Sequence, residues 1–158
     1  MATSLKNLSD YDHNAVPSGK GKRFGIVVSE WNTAITKALL QGAIDTFRYH
    51  GVADSDIVID FVPGTFELPF GAKKLSQHAH VSAVICIGCV IKGETKHDEY
   101  INSSVAFALQ QLNVEHNIPF IFGVLTPNNE QQALDRAGGK HGNKGVEAAV
   151  TALKMASL

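Results

Sequence analysis

Ser82–Ile91 reads SAVICIGCVI, and Lys92–Tyr100, directly behind it, reads KGETKHDEY. The first stretch is apolar on both faces of an extended chain, with no polar residue at every second position. That pattern belongs to a strand covered on both sides, as in the middle of a parallel sheet. The second stretch leaves the core at once: six of its nine residues carry a charge or an imidazole. Gly93 allows the chain to turn there, and His97 falls where the loop becomes a helix. This junction between a buried strand and a polar corner sets the reading of everything around it.

Outward from it, strand and helix patterns alternate. RFGIVVS (residues 23–29) and DIVIDFV (residues 56–62) are short β-rich runs, and PFIFGVL (residues 119–125) is a fourth strand after SAVICIG. Between them, Ile35, Leu39, Ala43 and Phe47 fall on one helical stripe that ends at Gly51. Leu68, Ala72 and Leu75 form a shorter stripe, with Pro69 tolerated in the first turn. Ile101, Val105, Ala108, Leu109 and Leu112 form a long one, closed by Asn117 and Pro119. A helix through residues 131–137, a glycine-rich break GGKHGNKG and a last helix from Val146 finish the chain. Four alternations of strand and helix predict a parallel sheet with helices on both faces. Residues 1–22 are polar, carry no sustained period and read as an N-terminal arm, disordered unless a neighbour holds it; residues 23–158 read as one domain.

Ligands of such sheets bind beyond the carboxyl ends of the strands. That nominates four loops: SEWN (29–32), PGTFE (63–67), CVIKGETKH (89–97) and TPNN (126–129). His97 at a helix start suits proton transfer near neutrality, and equally suits a solvated or capping residue. The remaining six histidines read as surface residues, and His78 with His80 are too few for a metal site. Trp31 and Phe66 offer faces for a planar ring, or simply pack their loops. Asp98, Glu99 and Glu67 complement helix N-termini. Arg136, Lys140 and Lys144 present either an anion site or solvated charge. Cys86 and Cys89, three apart on a strand, point to opposite faces, which argues against a redox or zinc pair. GGKHGNKG lacks the Ser or Thr after GK and follows a helix, so it is no phosphate-binding P-loop.

The totals narrow the class. Fourteen basic against 15 acidic residues give a net charge of -1, which offers no attraction for nucleic acid or an anionic membrane. The longest apolar run is about half of the ~20 residues of a membrane span. No secretory pattern opens the chain, and two cysteines are no disulfide framework, so a reducing cytoplasm is expected.

Five segments, FGIVVSEWN, FVPGTFELPFGAKKL, GCVIKGETKHDEY, IPFIFGVLT and RAGGKHGNKGVEAA, closely resemble those of the lumazine synthases, in order and spacing, from residue 23 to the C-terminus. The resemblance implies a flavodoxin-like three-layer α/β/α sandwich with a four-stranded parallel sheet. It implies condensation of 5-amino-6-(D-ribitylamino)uracil with 3,4-dihydroxy-2-butanone 4-phosphate, with no metal and no organic cofactor. It assigns His97 to proton transfer and Trp31 to stacking on the pyrimidine. It assigns Thr65, Phe66 and Glu67 to the ribityl chain and ketone, and the backbone of Cys89, Val90 and Ile91 to the pyrimidine edge. Glu94 and Thr95 fall on the phosphate side, and Phe122 and Arg136 at positions lent by a neighbouring subunit. Asp98 and Glu94 depart from the family, which often has an aromatic and a small residue there. The resemblance further implies a homo-pentamer and a shell of sixty subunits, to which the arm would add a strand. A pentameric riboflavin synthase, a shell protein without turnover and a signalling domain of the same fold are the alternatives. The last of these expects an acidic cluster that the four loops lack.

Overall fold

Strand β1 (Phe24–Ser29) pairs in parallel with β2 (Ile57–Val62) on one side and β3 (Ala83–Cys89) on the other, and β3 pairs with β4 (Phe120–Leu125). The computed structural model in which these pairings occur describes residues 7–158. The sheet order is β2-β1-β3-β4. All residues of β1 and β3 are buried, whereas the edge strands leave Asp60, Phe61 and Phe122 exposed. Helices α1 (Thr33–Tyr49) and α5 (Lys144–Met155) cover one face; α2 (Leu68–His78) and α3 (His97–Glu115) cover the other. A short α4 (Glu130–Asp135) follows β4. This is the three-layer parallel architecture expected from the sequence.

The alternation of strand side chains divides the core in two. Phe24, Ile26, Val28, Ile85 and Ile87 pack under α1 and α5, while Val27, Val84 and Cys86 pack under α2 and α3. Ile35, Leu39, Ala43 and Phe47 are all buried as the helical stripe requires, and the Phe47 ring stacks on Phe24 at 4.5 Å. Cys86 and Cys89 lie in opposite halves of the core, both as free thiols. Helix α5 approaches α1 so closely that a Cβ at Gly145 would collide with the Leu39 carbonyl. Asn143 seals the same contact: its Oδ1 accepts from Gly145 N at 2.8 Å and its Nδ2 donates to Ala38 O at 2.9 Å.

Three sequence readings change. The break after α4 is an antiparallel hairpin of β5 (Ala137–Gly139) and β6 (Gly142–Asn143), with Gly138 and Gly142 at positive φ. Of the residues read as an arm, 1–6 lie outside the described residues, and 7–22 run along their own chain without forming a strand. Leu8 N donates to His141 O at 2.8 Å, Gly19 N to His50 O at 2.8 Å and Lys22 Nζ to Ala156 O at 2.6 Å. The segment therefore has anchors on its own chain. The third correction concerns His50, read as a surface residue but only 8% exposed. It caps the C-terminal end of α1 under Tyr11, whose hydroxyl lies 3.2 Å from its Nε2, and under the His13 ring. Among the described residues, no helix is long and apolar enough to cross a membrane.

Burial, and then the charge of His13, hold His50 below the ordinary histidine range. Burial thus outweighs the helix C-terminus, which favours a cation. A group with a lowered folded pKa stabilises its contact above the unfolded value, about 6.5, and loses that contribution as pH falls through the folded value. Hydrogen exchange of residues 9–19 is expected to accelerate relative to the core strands as pH drops below the unfolded value, about 6.5; His50→Phe should flatten that dependence. Gly145→Ala should cost about 1–3 kcal/mol by forcing α5 off α1, read from the denaturant midpoint.

Candidate active site

The chain leaves β1 for α1 and β2 on one side, and reaches β3 and β4 on the other, so the strand order reverses between β1 and β3. At that reversal the carboxyl ends of adjacent strands part, leaving a crevice. A cleft of about 730 Å³ occupies it. Trp31 and Asn32 form one wall, from the end of β1. Gly64, Thr65, Phe66 and Glu67, after β2, form a second. Cys89, Val90 and Ile91 are the floor, and His97, Tyr100 and Ile101 of α3 close the third side.

The local sequence explains each placement. Trp31 is 74% exposed at the apex of its turn, an orientation with no core packing to justify it. Gly64 leaves room for the Glu67 carboxylate, because a Cβ there would stand 2.9 Å from Glu67 Oε2, while the Trp31 indole would be in ordinary contact at 3.5 Å. Thr65 is buried in a single 3₁₀ turn (Thr65–Glu67) that opens α2, leaving Phe66 and Glu67 exposed. Past β3, Val90 N donates to Leu125 O and Lys92 N to Pro127 O, both at 2.9 Å. Ile91 N–H and Val90 C=O, between those bonds, have no partner among the described residues. The two belong to one trans peptide and point to opposite sides, so the floor offers a single open backbone group, not a pair, to the edge of a planar amide-like ring. His97 is the first residue of α3 and is exposed; its N–H lies 3.4 Å from Thr95 Oγ1. Asp98 behind it is half-buried, with Oδ1 shielded and unpartnered among the described residues.

Eight residues singled out in the sequence meet in this cleft: Trp31, Thr65, Phe66, Glu67, Cys89, Val90, Ile91 and His97. Four do not. Glu94 and Thr95 are exposed in the loop before α3. Phe122 lies on the edge strand β4, in a separate groove of about 880 Å³ between α3 and α5. Arg136 ends α4, outside the cleft. Of the three cations in that region, Lys140 pairs with Asp135 at 3.0 Å and Lys144 with Glu147 at 2.7 Å. Arg136 makes no ion pair among the described residues. The fourth nominated loop, 126–129, also stays out of the cleft: Asn129 caps α4 by accepting from Gln132 N. Asn32, although inside a nominated loop, Tyr100, and Ile101, read only as part of a helical stripe, were not singled out as site residues in the sequence. Tyr100 had a signal, since it stands three residues beyond His97 on a helix and so shares its face.

The family model for 6,7-dimethyl-8-ribityllumazine synthase matches residues 21–158. The chain belongs to this family. Lumazine synthases of Porphyromonas gingivalis and Parabacteroides distasonis are 56% and 52% identical to it, covering all of this chain and 98% and 99% of their own. That of Flavobacterium johnsoniae is 54% identical over the whole chain and 83% of its own length. Burial pushes the thiol of Cys89, on the cleft floor, up to about 11, which disfavours its thiolate near neutrality. Iodoacetamide at pH 8 should therefore leave Cys89 and the more deeply buried Cys86 unlabelled in the folded protein and label both in denaturant, as read by mass spectrometry.

Proposed function

We propose that this chain is a transferase that condenses 5-amino-6-(D-ribitylamino)uracil with 3,4-dihydroxy-2-butanone 4-phosphate to give 6,7-dimethyl-8-ribityllumazine, phosphate and two waters, one lost on imine formation and one on ring closure. The observation that carries this reading is one cleft holding an exposed indole, an open backbone peptide group and a single imidazole. The pyrimidinedione stacks on Trp31, with its edge against the open backbone of the Val90–Ile91 peptide. Thr65, Phe66 and Glu67 face the ribityl chain and the ketone. The nucleophile is the substrate's own amine, which forms the imine with the ketone, so no activated serine or cysteine is required. Loss of water, elimination of phosphate and ring closure each move a proton between nitrogen, carbon and oxygen. His97 at the mouth of the cleft serves those transfers in turn. Holding the two reactants together supplies much of the remaining acceleration.

The phosphate binds where α3 begins. The N–H groups of its first turn have no helical acceptor, and the turn containing Glu94 and Thr95 lies beside them. Glu94 is exposed and turns to solvent, so its backbone contributes there and its carboxylate does not. Arg136, without an ion pair among the described residues and guanidinium-shaped for a bidentate phosphate contact, completes the site from a neighbouring subunit together with Phe122. A ring of five such chains, with twelve rings in a shell, accounts for these two residues lying outside their own cleft. It also gives a partner to Tyr100, Phe107 and Val114, which are exposed on α3 at seven-residue spacing. We place the enzyme in the cytoplasm, where the free thiols stay reduced, and assign it no metal or organic cofactor.

Mixing the protein with both substrates and following lumazine absorbance tests the reaction. Riboflavin formed from lumazine alone would overturn it in favour of a riboflavin synthase. His97→Ala should lower kcat by about 10²–10⁴-fold, the range of general acid–base contributions, with particle size unchanged by analytical ultracentrifugation. Arg136→Ala should raise KM for the phosphate substrate with a smaller effect on kcat.

A further inference from the structure

We propose that Asn32 is a positioning residue that sets the pose of Trp31 by tying the β1–α1 turn to the end of β3. The proposal rests on the reaction assigned above and deepens the role of its ring-stacking wall. Asn32 has a left-handed backbone, φ 57° and ψ 46°, which asparagine tolerates better than most residues with a Cβ. It stands at the N-cap of α1, where an asparagine side chain ordinarily accepts from the first turn of its own helix. Here it makes no capping bond. Its Nδ2 instead reaches across the sheet and donates to Cys89 O at 2.8 Å. The left-handed turn and the forgone cap therefore serve a contact between two different loops.

The other side of the turn is held by the backbone. Glu30 N donates to Val62 O at 2.9 Å and Trp31 N to Pro63 O at 3.3 Å. Trp31 thus rides on a bridge fastened to the ends of β2 and β3, one on either side of its own strand. An indole with three-quarters of its surface in solvent has little packing to fix it, so its orientation comes from this bridge. A stacking face fixed before the ligand arrives loses less freedom on binding. The same bond has a second effect. It engages the Cys89 carbonyl within the protein, so the backbone left to read the ring edge is the Val90–Ile91 peptide. Of the three strand-end residues expected to address the pyrimidine, Cys89 is the one whose carbonyl is occupied.

Asn32→Gly keeps the left-handed turn and deletes the amide. Asn32→Asp keeps size and turn tolerance but sets an acceptor against the Cys89 carbonyl. Trp31 is the single tryptophan, so intrinsic fluorescence reports it alone. In the ligand-free variants, Trp31 anisotropy should fall, and KM for the ribitylaminouracil should rise by about tenfold, the worth of one good hydrogen bond, with a smaller change in kcat. Wild-type anisotropy in Asn32→Gly would overturn the proposal, as would lowered anisotropy with an unchanged KM. Should Asn32→Asp not fold, Asn32→Gly alone decides. Failure of the wild-type chain to form lumazine would overturn the assigned reaction; the ligand-free anisotropy would still judge the tie.

Discussion

Burial of β1 and β3 along their full length is the constraint on which the rest of the molecule depends. A strand shielded on both faces must satisfy every backbone group within the sheet, and both faces must be covered by helices. Two such strands side by side, with one chain direction and crossovers leading to opposite edges, force the strand order to reverse between them. The crevice at the reversal is where Trp31, Cys89 and His97 come together, although 66 residues separate the first from the last. Chemistry at this position follows from topology before any side chain is chosen.

Much of this was legible from residue patterns. Unbroken apolar runs identified the interior strands, because a parallel strand has no polar face to interrupt them. Stripes such as Ile35, Leu39, Ala43 and Phe47 identified the helices, because only one face of each meets the sheet. The four strand-end loops followed from the sheet, and three of them line the cleft. The fourth does not, because Asn129 is consumed as a helix cap, a role that spacing alone does not separate from ligand binding. The hairpin in GGKHGNKG was hidden by its glycines, whose conformational freedom suits an open turn as well as a tight one.

His50 and Asn32 illustrate a different limit. Each is a polar residue at a helix end, and local sequence offers an ordinary role for both: solvent exposure for one, capping for the other. What alters them is a contact made far along the chain, with Tyr11 and His13 in one case and Cys89 in the other. Long-range polar contacts leave no periodicity, so the sequence pattern carries no trace of them. Family resemblance supplied the reaction, and the cleft supplied a geometry able to hold it.

The close approach of Gly145 to Leu39 carries a consequence for how the chain is made. Leu39 leaves the ribosome more than one hundred residues before Gly145, an interval of about 5–20 s at ordinary rates of synthesis. Throughout that interval the apolar stripe of α1 has no α5 to cover it. The central sheet is equally incomplete until β4 emerges, so its interior strands wait as well. The nascent chain therefore passes through a period of exposed oily surface that ends only when α5 has emerged. Occupancy by a chaperone, or simple protection by speed of synthesis, matters more for this fold than for one closed by neighbouring segments.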